Sequence, residues 1–184
     1  SGNNPVSTNL FDYGLMQGTG GSRDGNTTGS VPDRWSALKA AGTGTANIEI
    51  LPEDNGVGNK VRITLTSTGS GCTYQFKALT SIHSRLTDGV NVNARAVIRA
   101  INPAYLHECS FKVAKTTGDI SSLNAVGTTG IYTGSFVRTH ITPWYEIPVG
   151  GETNFLPSVT INTNGAGVTI IEVSRVSVIE EVTV

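Results

Sequence analysis

In "VNVNARAVIRAI" every second residue, from Val90 through Val92, Ala94, Ala96 and Ile98 to Ala100, is apolar. Most of the residues between them are polar: Asn91, Asn93, Arg95 and Arg99. A period of two sends alternate side chains to opposite faces, so the segment predicts a half-buried antiparallel strand. The same period runs through "VRITLTST", with Val61, Ile63 and Leu65 inward, and "TYQFKAL", with Tyr74, Phe76 and Ala78 inward. "HECSFKV" puts His107, Cys109, Phe111 and Val113 on one side, and "PSVTINT" offers Val159 and Ile161. Turn-forming runs separate these segments: "EDNGVGN", "STGSGC", "LTDG", "INPA" and "NTNGAG".

The last run, "GVTIIEVSRVSVIEEVTV", breaks phase, because Ile171 and Val173 share one parity and Val176 and Val178 the other. A strand cannot change faces without an extra residue, which predicts a β-bulge near Ser174 and Arg175. "DRWSALKAAG" and "SIHSRLTDG" could each make a turn or two of helix, and neither sustains a 3.6 period. Residues 9–16 read as a first strand, neighbouring a last strand over 168–181. Residues 18–30 hold no large apolar side chain and predict an exposed loop, mobile or pinned by an ion or a partner. Trp35 then returns the chain to the core. Eight to ten short strands without βα alternation predict an all-β protein. The expected architecture is an antiparallel β-sandwich (jelly roll) of two sheets, one domain over residues 1–184.

Composition agrees. Charged residues make up only 15% of the 184 positions, and Gly alone takes 22 of them. A net charge of −1, with Lys and Arg scattered, gives no basic face for nucleic acid. No run of apolar residues is long enough for a helical membrane span, so no membrane insertion is expected. The opening "SGNNPVSTNL" has no basic and apolar signal-peptide start and no Met, and reads as a piece of a longer protein. Cys72 and Cys109 make no disulfide framework, and buried free thiols are the expected state, with a disulfide as the alternative.

The opening "NLFDYGLMQGTGG", its Gly-rich continuation and the "VPDRW" return resemble jelly-roll carbohydrate-binding modules of the galactose-binding-like type. The closing "IIEVSRVSVIEE" is similar to the strand on which such modules end. The variant is similar to sugar-binding domains appended to bacteriophage tail fibres, tailspikes and phage-associated esterases. The resemblance implies a non-catalytic, lectin-like module that meets a polysaccharide or cell-surface glycan, in a virion tail or otherwise extracellular. It also implies a possible structural calcium, and a possible homotrimer through the parent fibre. A fibre-capping or trimerising domain without sugar binding, and a glycan-active hydrolase, are the competing readings.

His83, His107 and His140 have no recognisable catalytic context, and no G-x-S-x-G elbow occurs, so no catalytic residue is assigned. His107 and Cys109 share a strand face, but no second pair at ligand spacing accompanies them. Oxygen-rich turns make Asp24, Asp33, Glu53 and Asp54 the calcium candidates. A sugar ring needs an aromatic plate and planar hydrogen-bonding groups. Gln75, Lys77, Asn91, Asn93, Arg95 and Arg99 are expected to share an outer sheet face. Trp144 and Tyr145, between two prolines and near Arg138 and His140, are the stacking candidates; Arg95 and Arg99 form the alternative cluster.

Overall fold

The computed structural model describes residues 8–121 and 134–181, apart from the side chains of His83 and Ser121. The strands are β1 (Ser22–Arg23), β2 (Thr27–Gly29), β3 (Trp35–Pro52), β4 (Asn59–Ala78), β5 (Asn91–Asn102) and β6 (Leu106–Lys115). They continue with β7 (Gly118–Ser121), β8 (Phe136–Ile141), β9 (Tyr145–Glu146), β10 (Phe155–Thr163) and β11 (Gly167–Glu180). One 3-10 turn, His83–Arg85, is the only helical element among the described residues. The ladder runs β7-β6-β10-β4-β11-β5-β8, with β3 along β4 and β9 along β5.

Two long strands carry this ladder through both layers. The first half of β4 pairs with β11, Lys60 opposite Ser174 through Ser67 opposite Gly167. Its second half pairs with β10, Thr73 opposite Asn162 through Lys77 opposite Ser158. β3 follows β4 through both halves and slips register between Gly42 and Gly44, where the pair bends. Glycine is required there. Gly42 (φ 73°) and Gly71 (φ 107°) sit in the left-handed region, and a Cβ on Gly71 would lie 2.1 Å from the Thr163 carbonyl oxygen.

The bend yields a β-sandwich. One layer holds the end of β3, the start of β4, β11, β5, β8 and β9; the other holds the start of β3, the end of β4, β10, β6 and β7. Both send their apolar parity into one cluster. Ile63, Leu65, Ile98 and Val173 come from the first layer, and Trp35, Tyr74, Phe76, Phe111 and Val159 from the second. Full burial of such a side chain stabilises by roughly 1.5–3 kcal/mol. Cys72 and Cys109 are buried free thiols, and burial pushes the Cys109 thiol up to about 12.

The predicted bulge is present. Ser174 pairs with Val97 and Ser177 with Arg95, so β11 gains a residue, and Arg175 takes φ 51°. Ile171, Val173, Val176 and Val178 are then all buried. A second slip went unread: Asn162 pairs with Glu108 but Thr163 with Leu106, which skips His107. Leu106 therefore takes the core position, and His107 is only half-buried.

Three expectations need correction. Residues 9–16 lie beside β11 as expected but form no strand: Asn9 makes one bridge to Ile179, the Leu10 amide donates to the Val178 carbonyl, and turns follow to Met16 at φ 55°. Residues 18–30 are not a free loop, because β1 and β2 pair in parallel with β3. Asp24 accepts from the Lys39 amide (2.9 Å) and the Thr27 hydroxyl (2.7 Å), and Thr27 also bonds the buried Tyr74 hydroxyl. The chain's own strand pairing and hydrogen bonds pin the segment. The stretch "DRWSALKAAG" opens β3 rather than a helix, since Trp35 and Ala37 alternate into the core.

Candidate functional site

The outward parity of the first layer holds a row of charges fixed by register. Arg62 lies opposite Glu172, Glu172 opposite Arg99, and Arg99 opposite Val137. Most of this row is consumed internally. Buried Glu172 takes Arg62 at 2.8 Å and Lys60 at 3.3 Å, and Lys60 also reaches Asp54 at 3.0 Å. Arg99 donates to Glu53 at 2.9 Å and to the Ser174 hydroxyl at 2.9 Å. Burial opposes ionisation of Glu53. Even so, hydrogen bonds from Ser174 and the Asp54 amide, with the Arg99 charge, hold its carboxyl below the ordinary value. Arg99 is thus engaged in an internal ion pair and hydrogen bond.

Arg95 stands apart. It lies between Ile141 of β8 and Ser177 of β11, is half-buried, and keeps its Nε sealed from solvent without a hydrogen-bond partner. Among the described residues it pairs with no carboxylate. The next outward residue on β5, Asn93, is buried with an unpartnered Oδ1.

Trp144 completes this corner. Ile141 pairs with Arg95 and Tyr145 with Val92, so the intervening residues 142–144 run along β5 beside Asn93. Thr142 is tied to Ala94 by backbone and side-chain bonds of 2.9 Å each. Trp144 is 47% exposed, and Ile141 and Val137 are exposed on the same edge. An exposed indole and an unpaired guanidinium thus come from neighbouring positions at one end of β5 and its edge partners, with the buried Asn93 amide between them. That combination offers a flat apolar surface with hydrogen-bonding groups at its rim.

The other candidates do not join it. Tyr145 takes inward parity opposite Val92; its ring packs 6.1 Å from Phe155 and under the Lys115 ammonium, and its hydroxyl donates to Glu152 at 3.3 Å. His140 pairs with Ala96 and is fully buried with both ring nitrogens unpartnered. Arg138 lies on the inward parity at the exposed edge, over the Phe136 ring. Gln75 and Lys77 belong to the second layer, opposite Thr160 and Ser158, and do not share a face with Asn91, Asn93, Arg95 and Arg99. The apolar part of the site, Ile141 and Val137, is not among the residues expected from the sequence. The alternation Val137, Thr139, Ile141 in "FVRTHI" carries the signal that would have found it.

The calcium candidates are scattered and partnered. Asp33 accepts from the Gly20 amide, Asp24 holds Thr27 and Lys39, Glu53 holds Arg99 and Asp54 holds Lys60. Among the described residues no group of three or more His, Cys, Asp or Glu comes together to hold a metal.

No protein-family model matches the sequence, and no curated protein matches it. Solved structures share the fold. A proposed sugar-binding protein from Bacteroides thetaiotaomicron superposes with a TM-score of 0.52 at 9% identity, over 95% of this chain and 100% of that one. An arabinose-bound α-L-arabinofuranosidase superposes with a TM-score of 0.52 at 13% identity, over 82% of this chain. The chain spans only 24% of that enzyme's length. The xylan-binding domain CBM22-1 from Paenibacillus barcinonensis superposes with a TM-score of 0.47 at 10% identity, over 99% of this chain and 100% of that one.

Proposed function

We propose that this chain is a non-catalytic glycan-binding module whose site is the corner formed by Trp144, Asn93 and Arg95. The observation that carries the reading is Trp144, an indole nearly half exposed beside polar groups that lack protein partners. A solvated tryptophan leaves apolar area uncovered, and the C–H face of a sugar ring covers it while the ring's hydroxyls meet half-buried Arg95. The sugar-binding description of the Bacteroides protein, whose whole length this chain matches, supports the reading. The finer role is host-surface polysaccharide recognition by a bacteriophage tail fibre or tailspike, with the module in the virion tail or otherwise outside the cell. It rests on the similarity of the "NLFDYGLMQGTGG…VPDRW" opening.

Two features of the described residues favour binding over hydrolysis. His140 has no hydrogen-bond partner on either nitrogen, and His107 Nδ1 is likewise unpartnered, so neither is held against a nucleophile or an orienting carboxylate. Glu53, Asp54, Glu152 and Glu172 are all bound to protein cations or donors.

Calorimetric titration against bacterial surface polysaccharides tests the proposal. The wild-type chain should bind at least one of them, and Trp144→Ala should fold but lose on the order of 1–3 kcal/mol of affinity, by analogy with base stacking. A variant that folds and binds as well as wild type overturns the site.

A second reading is favoured by the apolar edge itself. Val137, Ile141, Ile101 and Trp144 are exposed along β5 and the edge strand β8, a surface that also suits a neighbouring subunit of a trimeric fibre. Mass photometry separates the two, since a trimer that Val137→Lys dissolves would assign this edge to assembly.

A further inference from the structure

We infer that the Trp144 corner takes an acidic glycan, with a sugar carboxylate seated on Arg95 and Arg175. The inference rests on the glycan-binding reading and narrows its ligand. Five cations lie on or beside this sheet face: Lys60, Arg62, Arg95, Arg99 and Arg175. Glu172, Asp54 and Glu53 neutralise Lys60, Arg62 and Arg99 at 2.8–3.3 Å. Arg95 and Arg175 are left over. Among the described residues neither makes an ion pair, although the chain as a whole is slightly acidic.

The bulge brings these two together. Arg175 sits between the register pairs Ser174–Val97 and Ser177–Arg95 and is exposed. Ser174 faces outward with Glu172, and Val176 returns to the core, so the extra residue emerges on the outer face beside Arg95. Arg95 and Arg175 thus bring two uncompensated positive charges to neighbouring register positions, and that cost falls when an anion arrives. A carboxylate matches the planar donor fork of arginine better than a hydroxyl does, because it accepts two charge-assisted bonds at once. Ile141, directly opposite Arg95, and Trp144 beyond it supply the apolar contact for the ring bearing that carboxylate. The bulge thus has a use beyond restoring the phase of β11.

The test compares acidic probes with neutral counterparts. Oligogalacturonates are titrated beside their fully methyl-esterified forms, together with sialyl oligosaccharides, their neutral asialo forms and a panel of neutral bacterial glycans. The expected result is that an acidic probe binds about tenfold or more tighter than its neutral counterpart, the size of one charge-assisted fork. That preference should shrink as salt rises from low to molar concentration. Arg95→Gln and Arg175→Gln should each reduce it, and Arg95→Lys should retain part of it. Equal binding of acidic and neutral probes, or a preference untouched by both Gln variants, overturns the inference and leaves glycan binding standing. Binding of neutral probes alone does the same. Failure of every probe overturns both readings. If Arg95→Gln does not fold, the ester comparison and salt dependence of the wild-type chain still decide.

Discussion

Trp35 and Phe76 stack face to face, with ring centroids 4.4 Å apart and planes 1° from parallel. The pair joins β3 to β4 in the second layer, and Phe11 meets the same indole edge-on at 5.6 Å. The Trp35 Nε1 donates to the Tyr13 carbonyl at 2.9 Å, so one side chain ties the opening segment to the core. Trp35→Ala is expected to cost about 3–5 kcal/mol, from lost apolar burial and an unfilled cavity. Urea unfolding followed by circular dichroism measures it, and a loss under about 1 kcal/mol would mean that the surrounding rings collapse into the space.

The segment before Trp35 is expected to matter to stability as well. Asp24 holds Thr27, Asn26 and the Lys39 amide, and these hydrogen bonds keep its carboxyl below the ordinary value although burial pushes the other way. Thr27 in turn covers the Tyr74 hydroxyl, whose pKa burial raises to about 12. Asp24→Ala should destabilise by about 1–3 kcal/mol, since it strips partners from a buried hydroxyl pair and an amide. Replacement of residues 18–30 by a short Gly-Ser link should cost more. A linker variant that melts with the wild type would make β1 and β2 dispensable.

Those two sites also show what the sequence conveys. The alternation of "VNVNARAVIRAI" and the phase break before Val176 map directly onto β5 and the β11 bulge, because one buried face imposes a strict period of two. "SALKAAG" misled because Ala, Leu and Lys favour helix in isolation, whereas pairing of Ala37 with Phe76 and Leu38 with Gln75 overrides that preference. The site was legible only in part. Trp144 and Arg95 were visible as an aromatic in a Pro-bounded turn and a polar residue on an amphipathic strand. That they meet depends on the non-local pairing of β8 and β9 with β5. The same pairing sends His140 and Tyr145 inward, and the spacing of "RTHITPWY" did not reveal it.

Arg99 and Arg95, four residues apart on one face, are expected to respond oppositely to substitution. Arg99→Met leaves the Glu53 carboxylate, whose side chain is fully buried, without its cation. Removing one member of a buried pair costs about 3–5 kcal/mol, so this variant should unfold at much lower denaturant. Arg95→Gln breaks no ion pair and should keep most of the stability. Equal destabilisation would show that Arg95 is structural too. The double variant Glu53→Gln with Arg99→Met should recover part of the loss, since no charge then remains uncompensated.

The last expectation concerns pH and separates two windows. Burial lowers the pKa of His140 below 6.5, with the nearby Arg138 charge adding to it, so the folded chain holds the imidazole neutral. The unfolded chain takes up a proton near pH 6.5, and the folded chain only at lower pH. The stability contributed by the neutral ring is therefore complete above about pH 6.5 and is lost as the pH falls below that value. The carboxyls of Glu53 and Asp24 are held below 4.5 and 3.8, so their contributions are present above those values and disappear only in stronger acid. Thermal melts from pH 7.5 to 5 isolate the first window. The wild-type melting temperature should drop across it, and His140→Leu, which removes the titrating ring and its two unpartnered nitrogens, should flatten the drop. The variant should lose little stability at pH 7.5, because an apolar side chain there leaves no polar atom unsatisfied. An unchanged slope in the variant would mean that a group other than His140 governs this range.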